Sequence, residues 1–275
     1  MKIYVIGYSG YGYLVEWLMH SNEKRLLIDT RKIAWSDDMP QWREESLRLA
    51  YGKRYRPAGS FLGNVNYARS GAPIQIANLS VGIAGLRKYL EEGYELLLLC
   101  GCRYYTRCHL QVIVSELVRA MPTVEVVIAG SHAIEGMMAC LSGWQPYPYF
   151  VTHPEIFIQA GLPPKRVENR DWTTDYTGPL LLHAGKTFEA KAIAYWSRQL
   201  GLDLRRLLPA DYDRGCIVGV ANLVQVAQDC DDIWFMGEYG FQLSDVRRLD
   251  PIPYRGRPGL FYVPLSIVPL DEVMC

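Results

Sequence analysis

The chain reads as an α/β protein of two domains: an amino-terminal parallel-sheet α/β domain followed by a carboxyl-terminal β-barrel with helices. Three observations predict this. Its 275 residues exceed the usual size of one domain. The first half alternates short apolar runs with helical patterns, whereas the second carries a polar strand pattern over Lys165–Trp172 followed by the leucine-rich strand Gly178–Lys186. The zero net charge also hides two halves of opposite sign, with 16 Lys and Arg against 11 Asp and Glu in residues 1–121 and the reverse imbalance afterwards. The expected boundaries are 1–130 for the α/β domain, 131–148 for a linker and 149–275 for the barrel.

In chain order, Ile3–Ile6 is the first predicted strand, Tyr13–His20 a helix and Leu26–Ile28 the second strand. Leu96–Leu99, a helix over Thr106–Ala120 and the strand Val124–Ala129 complete the domain. Ligands of such sheets bind beyond the carboxyl ends of the strands. Those ends carry Tyr8 and Ser9, then Asp29 and Arg31, then Cys100. Cys100 is a candidate nucleophile with His109 as its partner, because a thiol needs a nearby cation or a helix amino terminus to ionise. A buried structural cysteine is the alternative reading. Cys102 and Cys108 add two further soft ligands, but the spacing is not the paired C-x₂-C of structural zinc sites, and adjacent Cys108 and His109 are expected to point apart. No metal site and no cofactor are assigned.

Ser46 to Leu90 contains no acidic residue, while Lys53, Arg54, Arg56 and Arg69 occur with Tyr51, Tyr55 and Tyr67 interleaved. This suits a nucleic-acid-binding loop, cations meeting phosphates and tyrosines stacking on bases. A solvated charged loop is the other reading. Residues 131–148 carry a short helical pattern at Ile134–Leu141 and then Gly143-Trp-Gln-Pro-Tyr-Pro, the composition of a stiff connection.

The second half opens with Lys165-Arg-Val-Glu168-Asn-Arg170-Asp-Trp172. In a strand, Glu168, Arg170 and Trp172 share a face and Val167 points into a core. Lys165 would polarise an oxygen and Glu168 act as a base on water; alternatively Glu168 and Arg170 would read a base edge while Trp172 stacks on it. Gly178–Lys186 reads as a buried strand delivering His183 and Lys186 to its end as further substrate contacts. A satisfied core histidine is the plainer reading of His183.

These residues, with Gly215-Cys-Ile-Val-Gly219, Trp234-Phe-x-Gly237-x-Tyr-Gly240-Phe and Pro251-Ile-Pro…Gly256-x-Pro-Gly259-Leu-Phe261, resemble the ASCH family over roughly Tyr147 to Pro264. That resemblance implies a PUA-like β-barrel and a link to nucleic acid, either as a binder or as an enzyme removing acyl groups from a modified cytidine. The enzymatic type carries Thr where this chain has Glu168. The first half resembles the family catalogued as domain of unknown function 488: Ile6–Ser9, Asp29–Arg31, the Leu62-Gly-Asn64 loop, Leu98–Cys100 and Cys108-His109 match its pattern. Asn64 thereby joins the candidate substrate contacts. Cys102 and Leu110 replace an acid and an arginine.

The functional expectation is an enzyme acting on nucleic acid or a modified nucleotide by hydrolysis or group transfer, with a non-catalytic modified-base reader as the alternative. The amino terminus lacks the pattern of a signal peptide and no stretch suits a membrane span. Seven irregularly spaced cysteines fit a reducing compartment. A cytoplasmic location is expected.

Overall fold

The computed structural model describes residues 1–269; the last six residues of the expected 149–275 domain lie outside the described residues. The chain divides into two compact units, Met1–Ala129 and Gly130–Cys275.

The first unit runs β1 (Lys2–Gly7), α1 (Tyr8–Tyr11), α2 (Tyr13–Ser21), β2 (Arg25–Asp29), α3 (Glu44–Tyr51), β3 (Tyr55–Pro57), α4 (Gly59–Leu62), α5 (Leu79–Glu91), β4 (Glu95–Cys100), α6 (Leu110–Ala120) and β5 (Glu125–Ile128). The five strands form a parallel sheet in the order β3-β2-β4-β1-β5. Parallel strands are covered on both faces, and the sequence shows it as unbroken apolar runs. Ile3, Val5, Leu26, Ile28, Leu96 and Leu98 pack with Leu86 and Leu90 of α5 and Ile113 and Leu117 of α6. Tyr4, Ile6, Leu27, Leu97 and Leu99, which alternate with them, are as fully buried.

The acid-free stretch is not one loop. It holds most of α3 and α5 with β3 and α4 between them, and residues 63–78, which carry Tyr67 and Arg69, are its long irregular segment. Leu79, Ile83, Leu86 and Leu90 recur at helical spacing, and Asn78 caps α5 by accepting from the Val81 amide.

The second unit runs β6 (Met137–Gln145), α7 (Tyr147–Thr152), α8 (Glu155–Ile158), β7 (Val167–Arg170), β8 (Gly178–Phe188), α9 (Ala190–Leu200), α10 (Leu204–Leu207), β9 (Cys216–Ala227), β10 (Tyr239–Pro253) and β11 (Leu260–Pro264). Its six strands form a mixed sheet in the order β11-β6-β8-β9-β10-β7, antiparallel except for β6 and β8. Three register shifts interrupt the β9–β10 pairing, and Asp245 within them adopts φ 49°. Such bulges bend a long strand without ending it. Trp196, Trp234, Phe150 and Phe157 form an aromatic core with Val167 and Leu204.

The expected linker is corrected. Residues 137–145 are a full strand between β8 and β11, and the helix expected over Ile134–Leu141 does not form. Met138, Ala139, Cys140 and Leu141 are all buried, so an apolar run that suits either element is held extended by its two neighbours. The Gly178–Lys186 strand also continues to Phe188, which places His183 inside β8 and not at its end. No helix among the described residues is long and apolar enough to cross a membrane.

Candidate functional site

In the first unit, register places Gly7 beside Cys100 and Leu99 beside Asp29, so the ends of β1, β2 and β4 meet. Cys100 Sγ lies 3.5 Å from Cys102 Sγ and 3.5 Å from His109 Nδ1, and Cys108 Sγ lies 3.9 Å from the same nitrogen. The expectation that Cys108 and His109 point apart is corrected. Cys108 is extended (φ −102°, ψ 145°) while His109 is already helical (φ −62°, ψ −16°), and this change of backbone between them turns both side chains toward Cys100.

Thr30, which carries no motif in the sequence, orients the imidazole. His109 Nε2 lies 3.0 Å from both the carbonyl and the hydroxyl oxygen of Thr30. The Thr30 hydroxyl gives its own proton to Leu99 O at 2.8 Å, so it accepts from His109 and the ring carries hydrogen on Nε2. Nδ1 therefore faces the thiols. Hydrogen bonds from Cys102 and Cys108, with the imidazole, hold Cys100 far below the usual thiol range despite its burial, and push Cys108 up. Burial opposes a charge on His109, but its contacts with Cys100 and Cys102 raise it to about 9. Cys100, Cys108 and His109 are buried, and Cys102 is half-buried.

The other expected contacts at this end are mostly committed to the fold. Asp29 accepts from Arg31 Nε at 2.8 Å, Arg31 Nη2 at 2.6 Å and the Tyr55 hydroxyl at 2.9 Å. Arg31 also donates to Trp42 O at 2.6 Å and sits 5.2 Å over the Tyr8 ring, leaving its buried Nη1 without a hydrogen-bond partner. Ser9 donates to Gly101 O. Asn64 uses its side-chain oxygen on the amides of Asn66 and Gln75.

In the second unit, Glu168 Oε1 meets Arg170 at 2.9 Å and Oε2 meets Lys165 at 3.2 Å. Strand alternation accounts for the first contact; the second comes from Lys165, which precedes β7 and also donates to Val167 O. Arg170 donates to Ser142 O at 2.8 Å. Burial disfavours the Glu168 charge, yet Lys165 and Arg170 together hold its carboxyl below the ordinary range. Burial lowers Lys165, which is fully enclosed. His183 accepts from the Ser142 hydroxyl at 2.9 Å through Nδ1 and donates through Nε2 to Tyr254 O at 3.0 Å. Its desolvation keeps it neutral at neutral pH. Ser142, a lone serine in an apolar run, gave no sequence signal.

Glu168, Arg170 and His183 line one cavity with Leu141, Gly143, Pro148, Val151, Leu182 and Leu243. Its volume is about 10 Å³, room for a single water. Trp172 lies past the end of β7 and packs edge-on against Phe241 at 5.0 Å, outside that lining. Lys186 is exposed.

Of the basic residues, Arg54 is spent on Met19 O at 2.6 Å and Asn22 O at 3.3 Å, and Arg56 on Lys53 O and Tyr55 O. Tyr55 is buried and cannot stack on a base. Lys53, Arg69 and Tyr67 are exposed. Comparison with known proteins gives no matching family model and no matching curated protein.

Proposed function

We propose that the chain acts on nucleic acid or on a modified nucleotide, and that its second unit is a PUA-like, ASCH-type module reading a modified base. The first unit would be of the type catalogued as domain of unknown function 488. The observation that carries this reading is the Glu168–Arg170 pair at the cavity rim, 2.9 Å apart. An acceptor beside a guanidinium is the complement of a base edge that offers both donor and acceptor. The order of the five motifs along the second unit supports the same assignment.

The geometry favours recognition over general-base catalysis. Lys165 is occupied by Val167 O and Glu168 and does not face the cavity. Two cations stabilise the ionised Glu168, and a carboxylate stabilised in this way is a weak base. Entry of a base then requires the rim to open, Arg170 exchanging Ser142 O and Glu168 for the ligand.

Titration calorimetry against a panel of modified nucleosides and nucleotides tests the reading, with mass spectrometry of the same mixtures. At least one ligand should bind, and Glu168→Gln should weaken it by about 10-fold to 100-fold, the range for removing one base-edge hydrogen-bonding group. Equal binding by the variant, or binding of none of the panel, would overturn it. A product made by the native chain and abolished in Glu168→Gln would restore the base role. A second reading, thiol chemistry on the same nucleotide class, is favoured by the 3.5 Å contact between Cys100 and His109 and requires that thiol to be free.

A further inference from the structure

Three thiols and an imidazole converge at the end of β4, more than a thiol–base pair needs. The Sγ atoms of Cys100, Cys102 and Cys108 all lie within 4.8 Å of one another, and none is in a disulfide. Tetrahedral zinc, with Zn–S about 2.3 Å and Zn–N about 2.0 Å, separates its ligand atoms by about 3.8 Å from sulfur to sulfur and about 3.5 Å from sulfur to nitrogen. The corresponding separations here are 3.5 Å for Cys100–Cys102, 3.5 Å for Cys100–His109 and 3.9 Å for Cys108–His109. The three sulfurs gather around one point, and His109 Nδ1 lies against two of them, Cys100 and Cys108.

The surroundings point the same way. A ligating histidine usually gives its other ring N–H to a carbonyl or similar acceptor, which fixes the tautomer and aims the free nitrogen at the metal. His109 does this with Thr30, whose hydroxyl is itself fixed by Leu99 O. The Leu110 amide lies 3.5 Å from Cys108 Sγ, an N–H placed to stabilise a thiolate. Soft sulfur donors with one imidazole, and no carboxylate among them, suit zinc over magnesium or calcium.

We infer that Cys100, Cys102, Cys108 and His109 form a binding site for one zinc-class divalent ion. Four protein ligands leave no position for water or substrate, so the site is structural. It joins the end of β4 to the start of α6 and, through Thr30, to the end of β2. Cys100 is then a ligand and not a nucleophile. This inference stands apart from the nucleotide reading of the second unit.

The full chain, purified under reducing conditions without chelator, should carry about one zinc by elemental mass spectrometry, released when a mercurial blocks the thiols. Cobalt substituted into it should give the thiolate-to-cobalt charge-transfer and visible bands of a tetrahedral sulfur-rich site. Cys102→Ser, at the half-buried ligand, should lose most of the zinc, whereas Cys230→Ser, a half-buried thiol of the second unit, should retain it. Native protein that takes up neither zinc nor cobalt after reconstitution overturns the inference without reference to any variant. So does zinc content equal in Cys102→Ser and the native chain. Rapid alkylation of Cys100 by iodoacetamide, unchanged by chelator, would likewise overturn it and favour the nucleophile reading.

Discussion

Gly7 and Cys102 approach so closely that a Cβ on Gly7 would lie 1.7 Å from the Cys102 carbonyl oxygen. Gly7 ends β1 beside Cys100, so the cysteine loop is seated directly on its backbone. Gly7→Ala cannot be absorbed by a rotamer change, because the atom it strikes is main chain. The variant should lose on the order of 3 kcal/mol, the upper range for overpacking, read as a lower denaturation midpoint. Its zinc content should fall with it.

Lys165 is fully buried, with Glu168 as its charged partner. Glu168→Gln leaves an ammonium enclosed without a counter-charge, and should cost about 3–5 kcal/mol. Lys165→Met combined with Glu168→Gln should cost clearly less than the sum of the single changes, because it removes the stranded charge. Additive losses in urea titrations would mean that the two groups do not interact.

The same pair sets a pH dependence. Lys165 and Arg170 hold the folded-state carboxyl of Glu168 below its ordinary value. A depressed acid contributes stability that is present above the unfolded value, about 4.3, and is lost as pH falls through the lower folded value. Thermal unfolding of the native chain should therefore steepen below about pH 4, and Glu168→Gln should flatten that limb. A limb unchanged in the variant would assign it to other carboxyl groups.

Arg25 is buried at 1% exposure and donates to Glu95 at 3.0 Å, Leu18 O at 2.5 Å, Ser21 Oγ at 2.9 Å and the Tyr4 hydroxyl at 3.2 Å. Lysine keeps the charge but not the fork that makes these contacts together. Arg25→Lys should destabilise the first unit by about 2–4 kcal/mol in chemical denaturation, from buried acceptors left unpaired.

Lys53 and Arg69 are the exposed cations among Lys53, Arg54, Arg56 and Arg69, the four expected to meet nucleic acid. If both meet phosphates, Lys53→Ala with Arg69→Ala should reduce the salt slope of single-strand binding by about 0.7 for each phosphate no longer neutralised. Arg54→Ala should instead lower stability, because its guanidinium holds the backbone of Met19 and Asn22. An unchanged salt slope would leave the basic stretch without a role in binding.

The parallel sheet was legible because β1, β2, β4 and β5 are short apolar runs, and the Glu168–Arg170 contact because strand period is two. The helices of the basic stretch were hidden because their ion pairs cross its ends. Arg48 pairs with Glu44, Arg87 with Glu91 and Lys88 with Glu92, so the acids that match these cations sit just beyond the acid-free window. β6 was missed because its partners β8 and β11 lie far along the chain and leave no local trace. The convergence of Cys108 with His109 depends on one change of backbone conformation between adjacent residues, which no spacing rule encodes. Thr30 and Ser142 act by orienting histidines from other strands or loops, and neither a threonine between Asp29 and Arg31 nor a serine in an apolar run announces its partner.

The pairing of β6 with β11 has a consequence for biosynthesis. Leu141 lies opposite Leu260, about 120 residues later. At about 5–20 residues per second, a ribosome exposes the β6 edge for roughly 6–25 seconds before the strand that covers it exists. During that interval Met138, Cys140 and Leu141 border an unpaired backbone edge, the kind of surface that recruits other chains. Yield of the intact protein should thus depend on how fast translation traverses the second unit and on the chaperones that shield nascent chains meanwhile.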